Sequence, residues 1–561
     1  MKKQNFLNFV RSDMKPLRHL IIKTMLICCI ILMASIDSQA NNLSISNVYL
    51  TGQNTTDDYT LVQFDISWDN SWRMTTGPSN WDAAWIFIKY RIGSGEWAHA
   101  WLSNANHTVP DGTTLDVGLL DPASAYHATT NPGLGVFIYR SANGTGTFTN
   151  TGVQLAWNYG NNGLADDDVV DVQVFAIEMA YIPQGSFYVG DGTSNDITGQ
   201  LTDYNSTNAY QITSENSITL GGSSSGNMRN NNAAGMNTAD DFNNTTTQSL
   251  PTNFPKGYDA FYCMKYEISQ GQYTDFLNTL NRTQQNARTS TDLASGITSV
   301  TNRYVMSNTT SVSRRICIRC NETVHATDPI NFYCDYLGYG SGGYSSDGRW
   351  IACGSLSWAD LAAYLDWAGL RPMTELEFEK ACRGTLSAVA DEFAWGETTV
   401  QNISYGTING GTDLENISGN YGLTVGNSHY ENTNAGSGEW MGLWRVGIFA
   451  GNGQANNVRR RSGAGYYGNM EMSGNAWERP VNIGTSEGRA FTGKHGNGLL
   501  NASGEANVTN WPGSDAVGTG HRGSSYVSTS QTLRISDRNY TNLDYTARPG
   551  NRGGRGVRSA Q

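Results

Sequence analysis

The sequence predicts an N-terminal antiparallel β-sandwich-like domain followed by an α+β, loop-rich domain. Three observations predict it. Short runs of alternating apolar and polar residues fill the early part of the chain, and capped helical patterns begin only later. The composition, with 63 glycines, 15 tryptophans, 28 tyrosines and 15% charged residues, is that of short elements joined by long loops. Gly, Asn, Ser and Thr disfavour helix interiors, so a helical bundle is excluded. At 561 residues two or more domains are expected.

The elements follow in chain order. Lys15, Arg18 and Lys23 lead into the apolar run 25–34, and Ser38-Gln39-Ala40 offers a small-residue cleavage site. Residues 1–40 therefore read as a secretory signal peptide, the apolar run being too short to span a bilayer. The mature chain is expected to be secreted, periplasmic or at the cell surface, with no transmembrane segment. Export places Cys263, Cys317, Cys320, Cys334, Cys353 and Cys382 in an oxidising compartment, where disulfides of open connectivity are expected. Cys317-Ile-Arg-Cys320 reads alternatively as a redox or zinc half-site. A net charge of −12 without a basic stripe argues against a nucleic-acid partner.

Residues 41–176 form the expected β-sandwich-like domain. In "LVQFDISW", Val62, Phe64, Ile66 and Trp68 alternate with Gln63, Asp65 and Ser67, the period of a half-buried strand. "AWIFIKYRI", "LGVFIYR" and "DVVDVQVFA" repeat the behaviour between Gly, Asn, Asp and Pro clusters, as in an antiparallel sandwich. The tryptophans here (68, 72, 81, 85, 97, 101 and 157) are read as core in preference to a carbohydrate platform. Residues 177–561 form the second domain. Ser269 and Gln272 make a capping-box pair before Tyr273, Phe276, Leu277 and Leu280 at helical spacing. Ser357 precedes Trp358, Leu361, Ala362 and Leu365, with Gly369 placed to stop that helix. Thr374 and Glu377 open a third helix carrying Phe378, Ala381 and Cys382. Segments 190–255 and 285–345 read as loop excursions.

In "GNMEMSGNAWERP", 468–480, two carboxylates flank a Gly-Asn turn. A glycosidase-like acid–base pair requires a cleft and one raised pKa, which this spacing does not imply. A turn that presents two carboxylates and several carbonyls suits calcium, which takes six to eight oxygens. A hydrogen-bonded turn packed on Trp477 is the remaining reading.

"MAYIPQGSFYVG", "FYCMKYEISQGQYTDFLNTL", "SWADLAAYLDWAGLRPMTELEFEKACRG", "FAWGE", "GNMEMSGNAWE", "HRGSSY" and "RGGRGVR" stand in one order over 177–558. This order resembles the sulfatase-modifying-factor family, the fold of the formylglycine-generating enzyme, which is related to C-type lectin domains. The β-rich first domain lies outside the resemblance. The resemblance implies a structural calcium held by the side chains of Glu471 and Glu478 and the carbonyls of Gly474 and Ala476, although position 471 usually carries Asp or Asn. It also suggests Asn402 as a candidate for a second calcium site. Members that make formylglycine use a C-terminal cysteine pair that binds copper. Here those positions fall at Ser528 and within Ser530–Leu533, and no cysteine follows Cys382. A hydroxyl does not hold Cu(I) as a thiolate does, so that reaction is not expected. Iron-dependent relatives take their ligands from histidines on an accompanying helical domain. The histidines here show no ligand spacing, and His495 and His521 read as surface-loop residues.

The expected function is therefore that of a secreted, non-catalytic protein that binds a protein or carbohydrate ligand outside the cytoplasm, on a calcium-braced frame. Its expected ligand face comprises Ser528, Asp537, Asn539, Tyr540, Asn542, Asp544 and Tyr545, a polar, Tyr-bearing set suited to adaptable recognition. Arg534 and Arg538 share this segment but match structural arginines of the family. Some relatives of this fold vary this segment through retroelements. The alternatives are an oxidoreductase-type enzyme using a non-cysteine site, and a structural component of a cell-envelope or motility assembly.

Overall fold

The computed structural model describes residues 42–192, 197–205, 208–230, 240–312, 315–402, 407–417, 425–431, 442–450 and 459–561. The expected signal peptide lies outside them. The described chain is rich in β-strand with few, short helices, none long and apolar enough to cross a membrane. The main strands are β1 (Ser44–Asn54), β2 (Tyr59–Arg73), β3 (Asp82–Ile92), β4 (Thr113–Leu119), β5 (Gly133–Arg140), β6 (Gly144–Trp157), β7 (Val170–Ile182), β8 (Phe261–Met264), β9 (Arg371–Pro372) and β10 (Gly556–Ser559). Strands β1, β2 and β6 pair antiparallel in the order β1-β2-β6. A larger sheet runs β9-β10-β8-β7-β3-β5-β4, with the short strand Ala98–His99 also paired to β3.

The alternation in β2 faces one way. Val62, Phe64, Ile66 and Trp68 are buried against Ala84, Ile86 and Ile88 of β3 and Val136 and Ile138 of β5. The opposite side chains of β3 (Ala83, Trp85 and Phe87) join a second core with Ile177, Met179, Leu361, Leu365 and Trp367. Strand β3 is thus buried on both faces, which is why its sequence reads as a nearly continuous apolar run.

The division expected between residues 176 and 177 falls inside β7. Val170–Ala180 pair with β3, and Met179–Ile182 pair with β8, so one sheet runs from the N-terminal strands into the C-terminal motifs. The described residues belong to one compact unit. Side chains tie the two parts together. Trp85 Nε1 donates to the Ala368 carbonyl at 2.8 Å, and Lys89 Nζ donates to the carbonyls of Trp367 at 2.8 Å and Gly498 at 2.5 Å. The Arg558 guanidinium lies 4.3 Å from the Trp85 ring centre.

Helices α1 (Gln270–Leu277), α2 (Arg282–Ala287), α3 (Trp358–Trp367) and α4 (Glu375–Arg383) each begin with a complete capping box, at Ser269, Asn281, Ser357 and Thr374. Gly369 stands past the end of α3 at φ +67°, where a side chain would be strained. One face of α4 carries buried charge. Glu375 and Glu379 accept from Arg522 at 2.8 and 2.7 Å, and Arg538 bridges Glu375 and Asp240 at 2.7 and 2.8 Å. These pairs fasten the C-terminal segment to α4, and Arg538 has a structural role.

The cysteines differ from expectation. All six are buried free thiols. Cys263 and Cys382 share one apolar cluster, Cys320, Cys334 and Cys353 another, and Cys317 a third. They pack as small hydrophobes, and burial pushes the Cys263 thiol up to about 12. Cys317 Sγ donates to Gln270 Oε1 at 3.0 Å, and the CxxC cysteines fall in different clusters, so the half-site reading is not supported.

Candidate functional site

The turn 471–478 is built by backbone conformation. Glu471, Gly474 and Asn475 have φ of +55°, +105° and +63°. Gly474 is required, because a Cβ there would lie 2.2 Å from Ser428 Oγ and 2.8 Å from the His429 carbonyl. Glu471 holds a conformation that Asn or Asp adopts at lower cost. Its two carboxylate oxygens accept from the Gly447 amide at 3.0 and 3.1 Å. Glu478 Oε1 accepts from Arg555 Nε at 2.5 Å, and Arg555 Nη2 donates to the Met470 carbonyl at 2.7 Å. A third carboxylate, Glu267, accepts from the Ala476 amide at 2.8 Å and from Asn475 Nδ2 at 2.5 Å. Trp477 packs beside the turn, nearly buried.

Both glutamates of the turn are buried, and Glu478 is paired with Arg555, so they are not an acid and a base across a cleft. Three buried carboxyl groups surround one guanidinium, so with all three ionised the site would carry two negative charges in excess, with Arg445 adding a weaker attraction at Glu471. Burial pushes Glu471 up to about 7, and burial with the charges of Glu471 and Glu478 holds Glu267 well above the carboxylate range. Glu478 Oε2 has no hydrogen-bond partner of normal geometry among the described residues. An orphaned carboxylate oxygen in a site with excess negative charge fits a divalent cation. Among the described residues no three His, Cys, Asp or Glu side chains gather as a metal-holding group. A cation at this turn would therefore depend on carbonyls as well as on Glu471 and Glu478. The side chain of Asn402 lies outside the described residues.

Next to the turn lies the C-terminal face. Ser528, where the resemblance places the first copper-binding thiol, is half-buried, with its hydroxyl 2.9 Å from that of Ser525. Ser525 Oγ also accepts from Asn551 Nδ2 at 3.0 Å. Hydroxyl and amide oxygens are hard ligands and do not fit Cu(I). Asn539, Tyr540, Asp544 and Tyr545 are exposed, with Tyr540 set edge-on to Trp477 at 5.4 Å. Asp537 and Asn542 turn inward. Asp537 accepts from the amides of Asn539 at 3.0 Å and Thr198 at 3.4 Å, and burial pushes it up to about 6. Asn542 Nδ2 donates to Asp240 at 2.9 Å. These two brace the face from beneath.

Several residues of this face escaped the sequence reading. His521 is buried, contrary to the surface position expected of it, and so is His495. Burial, with Arg479 and Arg552 nearby, holds His521 well below the usual histidine value. His521 Nε2 accepts from Arg552 Nε at 2.8 Å, and the Arg552 guanidinium lies over the Tyr545 ring at 4.5 Å. Arg479 donates to the carbonyls of Tyr545 at 2.7 Å and Leu356 at 3.2 Å. Burial and Arg552 lower Arg479 to about 9. "HRGSSY", "RGGRGVR" and "GNMEMSGNAWERP" contain His521, Arg552 and Arg479 in turn, but only the fold brings them together.

A cleft of about 900 Å³ lies elsewhere, between residues 120–123, 252–261 and 492–509. Several of its charged groups are engaged with one another, with the backbone or with neighbouring polar side chains. Arg371 forks onto Glu377 at 2.9 and 2.6 Å, and Glu215 accepts from the amides of Lys256, Tyr258 and Asp259.

No curated protein matches the chain. Residues 353–560, which hold α3, α4, the turn and the C-terminal face, match the family model described as the sulfatase-modifying factor enzyme 1-like domain, and this part of the chain is similar to that family.

Proposed function

We propose that this chain is an exported, non-catalytic binding protein whose sulfatase-modifying-factor domain presents its C-terminal face to a protein or carbohydrate ligand. The observation that carries the reading is the Ser525–Ser528 hydroxyl pair, 2.9 Å apart, at the place of the family's first thiol. Copper-dependent oxidation of a substrate thiol needs soft ligands there, and the cysteines of the described chain are packed into apolar clusters elsewhere. Around the pair, Tyr540, Tyr545, Asn539 and Asp544 supply exposed aromatic and polar groups. We place a structural calcium at the adjacent turn, held by Glu471 and Glu478 with the carbonyls of Gly474 and Ala476. Calcium would neutralise the excess carboxylate charge and stiffen the turn that carries Trp477.

The test is direct. The purified chain, given copper and a Cys-Thr-Pro-Ala-Arg peptide, is expected to leave the thiol unchanged by mass spectrometry. Formation of formylglycine would overturn the reading. Binding itself is tested with the double variant Tyr540→Ala, Tyr545→Ala, which is expected to lose capture of extracellular ligands on a glycan and peptide array while its melting temperature stays within about 3 °C of the parent. Undiminished capture by the double variant would move the ligand site away from this face.

A further inference from the structure

A cavity of about 440 Å³ lies against the larger sheet, lined by residues of β4, β5, β7, β8 and β10. Its floor is a row of side chains laid across those strands. Directly paired residues share one face of a sheet. Arg558 pairs with Tyr262, Tyr262 pairs with Tyr181, and the Tyr181 amide donates to the Trp81 carbonyl at 2.9 Å. Phe137 and Tyr139, two apart on β5, continue the row, and Asp116 of β4 stands opposite Phe137. The rings fill one another's faces. Tyr181 stacks on Trp81 at 3.9 Å, Tyr262 on Phe137 at 3.8 Å, and the Arg73 guanidinium lies 4.8 Å from the Trp81 ring centre. The Arg558 guanidinium is engaged by the carbonyls of Gly369 and Leu119 and by the face of Trp85.

What the row offers the cavity is therefore oxygen. Tyr139 Oη donates to Asp116 Oδ2 at 2.6 Å, which leaves the phenol oxygen able to accept. Trp81 Nε1 donates to Tyr262 Oη at 3.3 Å, and the Tyr262 O–H has no acceptor among the described residues. The Tyr181 hydroxyl has no hydrogen-bond partner among the described residues and is not sealed from solvent. Asp116 is exposed. Burial raises all three phenols above their ordinary value, with Asp116 adding to the rise, so each keeps its proton. His107, also in the wall, is engaged through both ring nitrogens, with the Ser103 carbonyl at 2.8 Å and the Ala156 amide at 3.1 Å. Burial lowers it, so it adds no charge.

We propose that this cavity binds a neutral sugar, whose hydroxyls bond to Asp116, Tyr181 and Tyr262. The volume is within the range of small-molecule sites, about 300–1,000 Å³, but such sites are mostly apolar and this wall is mainly polar. The ligand is therefore polar too. Donating and accepting oxygens alternate along the row, and a hydroxyl is the group that does both. A carboxylate ligand would meet Asp116 with like charge. An ammonium has three donors and no acceptor, which would leave the Tyr262 O–H unmatched. The cavity shares no residue with the C-terminal face, and the proposal does not rest on that face binding a ligand.

The experiment is titration of the full mature chain with the methyl glycosides of glucose, galactose and mannose, followed by saturation-transfer NMR and tryptophan fluorescence. At least one is expected to bind with a Kd of about 0.1–1 mM, too weak for capture on an array. Tyr181→Phe, which loses one hydroxyl and keeps the ring, is expected to weaken binding about three- to tenfold. Asp116→Ala is expected to weaken it about tenfold or more, because the lost acceptor is charged. An unchanged melting temperature establishes that both variants are folded. The Tyr540→Ala, Tyr545→Ala double variant is expected to bind the glycoside as the parent does. Binding of none of the three, or undiminished binding in both cavity variants, would overturn the assignment. Binding lost in the double variant and kept in the cavity variants would move the sugar to the C-terminal face. Methyl glucosaminide binding tenfold more tightly than methyl glucoside would make the ligand an ammonium and would also overturn the proposal.

Discussion

At Glu471 the folded chain holds a proton that the unfolded chain releases. Burial raises its carboxyl to about 7, against about 4.3 in an unfolded chain. The folded state therefore binds more protons between those values. The stability carried by the neutral carboxyl is complete below about pH 4.3 and is lost as pH rises through about 7, on the order of 4 kcal/mol in all. In chelator, the melting temperature is expected to fall from about pH 5 to about pH 8 relative to Glu471→Gln, whose amide stays neutral. Calcium is expected to erase that difference, because the cation replaces the proton as the neutralising charge. Equal slopes for the two chains in chelator would place Glu471 at its ordinary ionisation. The carboxylates of this turn are legible because they flank one glycine in eight residues of sequence. Glu267 and Arg555, which complete its charge pattern, arrive from distant strands and loops. His521 was misread for a related reason: nothing beside it in sequence announces that Arg552 will fix its tautomer.

Helix starts are local: Ser269–Gln272 and Thr374–Glu377 read as capping pairs in the sequence, and Ser357 as the residue before a third helix, whose partner Asp360 the structure adds. Helix α2 was not legible, because "RTQQNA" has no apolar stripe to reveal a period and lies beside a loop-rich segment. Its Asn281–Gln284 box is as complete as the others. The caps differ in what else they hold. Ser269 Oγ accepts only from the Gln272 amide among the described residues, at 3.2 Å. Thr374 Oγ1 accepts from the Glu377 amide at 3.2 Å and also donates to the Pro255 carbonyl at 3.1 Å. Thr374→Ala is therefore expected to cost about 2 kcal/mol and Ser269→Ala about 1 kcal/mol, measured by urea unfolding. An equal or reversed order would show that the Pro255 bond contributes nothing. Strand identity was legible in β2, where one face meets the core and the other does not. In β3 the alternation has no contrast to display, because Trp85 and Ile86 point into different cores and both are buried.

The whole molecule turns on β7. A sequence reading divides the chain where the apolar pattern restarts, near Ile177, because composition changes there and the family motifs begin. The restart is the second half of one strand: β7 spans Val170–Ile182, pairs with β3 along most of its length and with β8 at its end. Pairing partners drawn from either side of the motif boundary are not visible in composition or period. The consequence is mechanical as well as topological. Trp85 fills the core shared with α3 and donates to the Ala368 carbonyl, and the Lys89 ammonium is held by carbonyls of Trp367 and Gly498. A chain beginning at Ile177 would start within β7, leave the β8–β7 edge without β3, and open the core that Trp85 fills. Exposed strand edges and apolar patches of this kind drive association. Such a chain is expected to aggregate, whereas a chain beginning at Asn42 is expected to unfold in a single calorimetric transition. Trp85→Ala in that longer chain is expected to cost about 3–5 kcal/mol and to lower the one transition as a whole. If β1–β6 instead melted separately, or if the chain from Ile177 proved soluble and monomeric by light scattering, the continuous sheet would not be the unit of stability. The C-terminal face would then rest on its own core, and the β-rich segment would be free to serve a separate partner.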